Sequence, residues 1–302
     1  DEDFEQFPLA NINDLDITKE SPYYGCAVKN IIPILQTLLT DRSMDVRDSA
    51  CNALVNIAGA LKRKHIPLVI LTVVLKLAHD AQDENRTTAI NLMSILAPLF
   101  GPHLCRHYVA ITLAAFSDDN TFRVRKAAAQ SFGQVAKTVG TDFTMKKLLE
   151  PYLQLTRDLV WGVRRSCLES IVDMVQIVPD DIKKETFIPL YHTMIKDTSR
   201  WVRNTAFEML GKFIYGLGAN VVSDDFLSAF TNIPKLPHNA VDNNANFHCA
   251  FNFPCVVLTV GKNKWNLLKE CYIMLSQDLK FSVRRTLAAS IHEIAKILGP
   301  DL

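Results

Sequence analysis

Residues 197–214 read "DTSRWVRNTAFEMLGKFI": an Asp, an Arg six positions on at Arg203, and then apolar residues at helical spacing. The same signature stands upstream in "DLVWGVRRSCLESIVDMV", with Asp158 and Arg164, and again in "DNTFRVRKAAAQSFGQVA", with Asp119 and Arg125. Two more steps reach "DAQDENRTTAINLMSILA", with Asp80 and Arg86, and "DRSMDVRDSACNALVNIA", with Asp41 and Arg47. The Arg positions 47, 86, 125, 164 and 203 are evenly spaced, with a constant step of 39. The unit returns as "DLKFSVRRTLAASIHEIA", with Asp278 and Arg284; the distance from Arg203 is two such steps plus three, room for one degenerate copy. A fixed period near 39 is the mark of a two-helix repeat.

Each copy explains its own folding. Counted from the residue before the Arg, positions +4, +8, +11 and +12 are apolar: Ala50, Leu54, Ile57 and Ala58 in the first copy, Ala128, Phe132, Val135 and Ala136 in the third, Leu287, Ile291, Ile294 and Ala295 in the last. That stripe predicts an amphipathic second helix in every copy. Gly101, Gly140, Gly218 and Gly299 stop it, where Gly supplies a left-handed cap, and Pro179 does so in the fourth copy. Another apolar helix precedes each Asp, as in "NIIPILQTLLTD" and "FIPLYHTMIKD", and Pro33, Pro151 and Pro189 bend or start it. One hairpin cannot bury its apolar face, but stacked neighbours can. The expected fold is an all-α HEAT-repeat solenoid of about seven hairpins with a period of 39. Within it, each Arg reaches an Asp of its own or the adjoining copy, a structural ladder of Asp41, Arg47, Asp80, Arg86, Asp119, Arg125, Asp158, Arg164, Asp197, Arg203, Asp278 and Arg284.

The boundaries follow. Residues 1–24 hold seven acids and one Lys and read as an acidic extension. Residues 25–230 carry repeats 1–5 and the start of a degenerate sixth. Residues 231–246, rich in Pro and Asn, read as a loop, and 247–302 complete the sixth repeat and form the seventh. The chain opens on Asp and closes on a repeat helix, as expected of a piece of a longer array.

Composition narrows the partners. The 302 residues are 48% apolar with a formal charge of +1, so no strongly basic field exists to hold nucleic acid or an anionic membrane, and neither is expected as a partner. Seven scattered Cys form no CxxC, no signal peptide opens the chain, and no run of ~18 apolar residues suggests a membrane span. A reduced, intracellular protein is expected, cytoplasmic with the nucleus as a further location.

No chemistry-bearing set converges. "GPHLCRH" brings His103, Cys105 and His107 together, but on a helix Cys105 leaves the face that the two His share. "SIHEIA" has one His-Glu pair, where HEAT-type iron hydroxylases use several, and it lacks the second His of a zinc-protease helix. Neither a phosphate loop nor GxSxG is present. No cofactor, metal or catalytic residue is expected, and the chain is expected not to be an enzyme. His65 and His192 read as helix-surface residues, and "KRKH" at 62–65 as a solvated turn. The candidate binding residues are Phe122, Arg123, Trp161, Arg200, Trp201 and Phe281. They fall in the intra-hairpin turns, which line one edge of a stack, and Trp and Arg are typical interface anchors. The competing reading packs the two Trp between hairpins.

"DLVWGVRRSC", "SRWVRNTAFEMLGKFI" and above all "FHCAFNFPCVVLTVGKNKW" followed by "VRRTLAASIHEIAKILGPDL" resemble the phosphatase 4 regulatory subunit 1 family, whose broader relative is the HEAT-built scaffold A subunit of phosphatase 2A. The resemblance covers most of residues 30–302. It implies a non-catalytic regulatory or scaffold subunit that binds a serine/threonine phosphatase catalytic subunit, guides its substrate choice, and meets substrates or adaptor proteins. That family carries a long low-complexity insertion where this chain has 231–246, and it continues past the position of residue 302. Two other classes remain as alternatives: an importin-β-like HEAT transport adaptor, which would favour a strongly acidic inner surface, and the HEAT hydroxylase. A phosphatase pull-down, Ran-GTP binding and iron content separate the three.

Overall fold

Six of the seven described second helices begin just after their repeat Asp, the exception being that of the degenerate copy. In a computed structural model that describes residues 21–236 and 244–300, these are α1 (Met44–Ala60), α2 (Asp83–Leu104), α3 (Phe122–Val139), α4 (Trp161–Ile177), α5 (Arg200–Leu217), α6 (Ala245–Val260) and α7 (Phe281–Ala289). The partner helices that precede them are Ile32–Leu38, Thr72–Ala78, Ala110–Ala115, Leu149–Leu155, Ile188–Ile195, Asp224–Thr231 and Trp265–Ser276. No strand occurs among the described residues. The fold class is that of the all-α HEAT-repeat solenoids, with seven hairpins among the described residues.

The chain divides into two compact units, 1–157 and 158–302. In the first, α1, α2 and α3 bury Ala50, Leu54, Ala58, Ala128, Phe132 and Val135, the expected stripe, and Phe132 meets the buried Tyr152 ring at 5.8 Å. The stretch 83–118 is long and apolar enough to cross a membrane by length and composition. It is nevertheless broken at Gly101, and Ile90, Leu92, Met93 and Leu96 are buried in this unit.

In the second unit, α4 and α5 bury Cys167, Ile171, Ala206 and Leu210. Tyr191 is fully buried, stacks on Phe213 at 4.0 Å and donates its hydroxyl to the Ala206 carbonyl at 2.6 Å, so its polar end is satisfied. At Gly211, α5 and α6 approach so closely that an added Cβ would collide with the Asn252 Cβ. Asn252 is itself buried, and its amide donates to the Glu208 carbonyl at 3.0 Å and the His248 carbonyl at 2.9 Å. The "FNF" run of α6 is thereby clamped to α5.

Four expectations change. The glycine stops have positive φ, but Gly140 and Gly218 have ψ of 172° and 160°, so they turn the chain through the mirror image of extended backbone, which only Gly adopts readily, and not through a left-handed helical cap. The first helices of five hairpins each open with a five-residue π-helical stretch. One of these, 105–109, belongs to a hairpin that lacks a Pro at the position of Pro33, Pro151 and Pro189, so that Pro is not what bends them. The last second helix breaks at Ser290 and resumes as Ile291–Leu298, which shifts its register: Ile291 is exposed, while Ile294 and Leu298 are buried. His65 is buried, with its Nδ1 2.6 Å from the Tyr24 hydroxyl. Of the acidic extension expected at 1–24, residues 1–20 lie outside the described residues, as do 237–243 of the expected loop; 233–235 form a short 3₁₀ turn.

Candidate partner-binding turns

The repeated Asp and Arg build the turn itself. In all six copies the Asp Oδ1 accepts the backbone N–H two positions on, at 2.7–2.8 Å, from Ser43, Gln82, Thr121, Val160, Ser199 and Lys280. The Arg Nη1 then donates to the carbonyl of its own Asp, at 2.6–3.0 Å for Arg47, Arg86, Arg125, Arg164, Arg203 and Arg284. Turn carbonyls with no helical partner are thus held by a permanent cation. Sequence spacing alone pairs Arg with carboxylate, whereas within one copy the Arg takes the Asp backbone.

Carboxylate pairing runs between copies, from the Arg of one to the Asp of the next. Arg86 forks onto Asp119 at 2.8 and 3.0 Å in the first unit, and Arg164 onto Asp197 at 2.7 and 2.8 Å in the second. The pattern is not uniform. Arg47 pairs with Glu84 at 3.1 Å. For Arg203 the position equivalent to that Asp is Leu236, and its Nε and Nη2 have no partner among the described residues. In the degenerate copy Asn246 takes the Arg's place and donates to Asp278 at 2.7 Å. Glu84 and Asn246 escaped sequence reading because both lie off the repeat's spacing.

Atop this clamp sit the candidate binding residues. In the first unit Phe122 and Arg123 are exposed at the start of α3. In the second unit Trp161 and Trp201 are 43% and 46% exposed and lie face to face, ring centres 6.3 Å apart and 27° between planes. They are neither buried between hairpins nor separate. The exposed Arg200 guanidinium covers Trp201 at 4.6 Å. Phe281 opens α7 at 71% exposure. Leu159 and Leu279, each directly after its Asp, are 98% and 94% exposed and were not singled out in sequence; a Leu where other copies place Arg42, Asn120 or Thr198 was the available signal.

The histidine motifs bring no metal set together. His103 and His107 rings are 4.4 Å apart, but Cys105 points away, buried and donating to the Ala97 carbonyl, and burial pushes its thiol up to about 12. His292 contacts the adjacent Glu293 carboxylate, at 3.0 Å, and His192 lies edge-on to Phe226 at 5.2 Å. No group of three or more His, Cys, Asp or Glu able to hold a metal occurs among the described residues.

Hairpins locked by a repeated Asp–Arg clamp, with aromatic and Arg side chains left on the turns, define a HEAT-repeat protein, and residues 31–61 match the HEAT repeat family model. Residues 249–302 match the model of the protein phosphatase 4 regulatory subunit 1 middle domain. The chain is 31% identical over 190 residues to serine/threonine-protein phosphatase 4 regulatory subunit 1 of Homo sapiens, covering 62% of this chain and 20% of that protein. It is 20% identical over 296 residues to human serine/threonine-protein phosphatase 4 regulatory subunit 4, covering 89% of this chain and 34% of that one. The chain therefore spans a fifth of the first relative and about a third of the second. Among solved structures it is similar to the karyopherin Kap121p bound to the extreme C-terminus of the protein phosphatase Cdc14p (TM-score 0.69, 15% identity, 90% of this chain and 29% of that one). A Kap95p structure matches with a TM-score of 0.63 at 11% identity, over 90% of this chain and 36% of that one. At such identities these two likenesses concern the fold alone.

Proposed function

We propose that the chain is a non-catalytic regulatory subunit that binds the catalytic subunit of a type 4 or type 2A serine/threonine phosphatase and directs its substrate choice. The similarity to two phosphatase 4 regulatory subunits supports the partner class. The observation that carries the binding face is the Arg200–Trp201–Trp161 stack: a cation and two large rings held in one geometry before any partner arrives. Such an anchor meets a carboxylate and an apolar surface with little side-chain entropy left to lose. Phe122, Arg123 and Phe281 extend the same chemistry to other turns. Substrates or adaptor proteins would occupy other surfaces of the array. The seven cysteines, none of them in a disulfide among the described residues, support a reducing, cytoplasmic setting for this role, with the nucleus included. The test is binding of purified phosphatase 4 catalytic subunit to the parent chain and to Arg200→Glu. Equal affinity removes the stack from the interface, and no binding by the parent removes the partner.

A further inference from the structure

The motifs "KRKH" and "GPHLCRH", which the proposed function leaves unused, come together in the first unit. They border an open cleft of about 620 Å³ between the two links that join successive hairpins. Helix α2 breaks at Gly101, where φ is 76° and ψ 173°, and the chain turning out of the helix there forms one wall. Ile66, Phe100 and Leu104, all buried, give an apolar floor, and Arg63, His103 and Arg106 stand exposed on the rim. Among the described residues that line the cleft, none is acidic. Arg106 is held in place, because its Nε and Nη2 both donate to the Val139 carbonyl, at 2.9 and 2.7 Å, which leaves Nη1 for a ligand. Lys62 and Lys64, also exposed, flank Arg63 in the chain.

An apolar floor under a cationic rim fits a segment that sets bulky apolar side chains beside anionic ones. Carboxylates suit this rim better than phosphates. Arg63 and Arg106 lie on different links, and part of the Arg106 guanidinium is already engaged, so each can meet one carboxylate but the pair does not converge on a single phosphate. The cleft also stands apart from the exposed turn of the same unit. Arg106 bonds the last residue of α3, whereas Phe122 and Arg123 are its first two, roughly 25 Å away along the helix axis. A ligand in the cleft therefore leaves that turn free. We propose that the cleft docks an acidic, apolar-anchored linear segment of a partner protein, its Leu or Phe side chains on the floor and its carboxylates on Arg63 and Arg106. That the partner is a phosphatase substrate or an adaptor rests on the function proposed above; the cleft then recruits it while the turns hold the catalytic subunit.

Fluorescence anisotropy on the full chain tests this, with a fluorescein-labelled synthetic peptide in which Phe and Glu alternate as the probe. That peptide should bind the parent at least about 10-fold more tightly than versions with Gln for Glu or Ser for Phe. Arg63→Glu should weaken its binding at least about 10-fold, while Lys126→Glu, an equal charge change at an exposed site near the other end of α3, should not. Hydrogen exchange read by mass spectrometry should show the amides of 61–67 and 98–107 slowed when the peptide is added to the parent, a footprint that needs no variant to fold. The phosphatase 4 catalytic subunit should bind Arg63→Glu as tightly as the parent; if it binds neither, the proposed function falls and the peptide result stands. Weaker binding of the catalytic subunit to Arg63→Glu alone would place the cleft in that interface and overturn its recruiting role. No peptide binding by the parent, binding unmoved by Arg63→Glu, a footprint away from the two links, or tighter binding of a version with phosphoserine for Glu would each overturn the proposal.

Discussion

Arg164 and Asp197 face each other as a two-toothed fork, Nε to Oδ2 at 2.7 Å and Nη2 to Oδ1 at 2.8 Å, while the third corner of the same guanidinium holds the Asp158 carbonyl at 2.7 Å. One side chain thus closes its own turn and couples it to the next. Both partners are largely buried, so removing either leaves the other charge uncompensated. Arg164→Ala should destabilise the chain by about 3–5 kcal/mol. Lys147→Ala, at an exposed site, should stay within about 0.5 kcal/mol of the parent. Because the fork couples neighbouring repeats, Arg164→Ala should also broaden the transition in urea. Equal unfolding curves would return Arg164 to the binding candidates.

The same pair sets a pH dependence. Burial alone would raise the Asp197 carboxyl, but hydrogen bonds from Arg164 and the Ser199 N–H, with the charge of Arg164, hold it below the usual carboxylate range. A carboxyl depressed in the folded chain stabilises it above the unfolded value of about 3.9, and that contribution is lost as pH falls through the folded value. The stability gap between the parent and Asp197→Asn, measured by urea unfolding, should therefore be full at pH 7 and shrink below about pH 4. A gap that stays constant down to acid unfolding would show that the charge of Asp197 is not what matters.

Arg203 has the clamp without the fork. Arg203→Ala loses its bonds to the Asp197 and Thr198 carbonyls but strands no described carboxylate. It should cost at least about 1 kcal/mol less than Arg164→Ala in the same unfolding assay. An equal cost would show that a partner of Arg203 lies beyond the described residues.

The contact at Gly211 is backbone-close. Gly211→Ala should destabilise by about 1–3 kcal/mol through overpacking. Asn252→Ala should not rescue it, because the collision is with the Asn252 Cβ. Asn252→Gly should recover part of the loss. Rescue by Asn252→Ala would mean that the amide, not the approach of α5 and α6, sets the cost.

The repeat, the two helices of each hairpin and the buried stripe were legible because stacking imposes one pattern on every copy: Ala50, Leu54, Ala128, Phe132, Cys167 and Ile171 are buried where the period puts them. The Asp–Arg spacing was legible as a structural device, but its chemistry was not. Sequence shows two opposite charges at a fixed spacing and cannot show that the turn presents the Asp carbonyl to the Arg. The stacking of Trp161 on Trp201 depends on rotamers at near-equivalent positions of neighbouring repeats, which periodicity does not encode. The break at Ser290 was hidden for another reason: "RRTLAASIHEIA" has good helical spacing throughout, and only the structure shows its register slipping.

The central claim, that the turns carry a phosphatase-binding face, is tested most directly by the affinity of the phosphatase 4 catalytic subunit for the parent chain and for Arg123→Glu/Arg200→Glu, which changes one exposed turn residue in each unit and removes no core volume. The predicted result is an unchanged melting temperature with binding weakened at least about 10-fold, or about 1.4 kcal/mol. Binding as tight as the parent's would contradict the account.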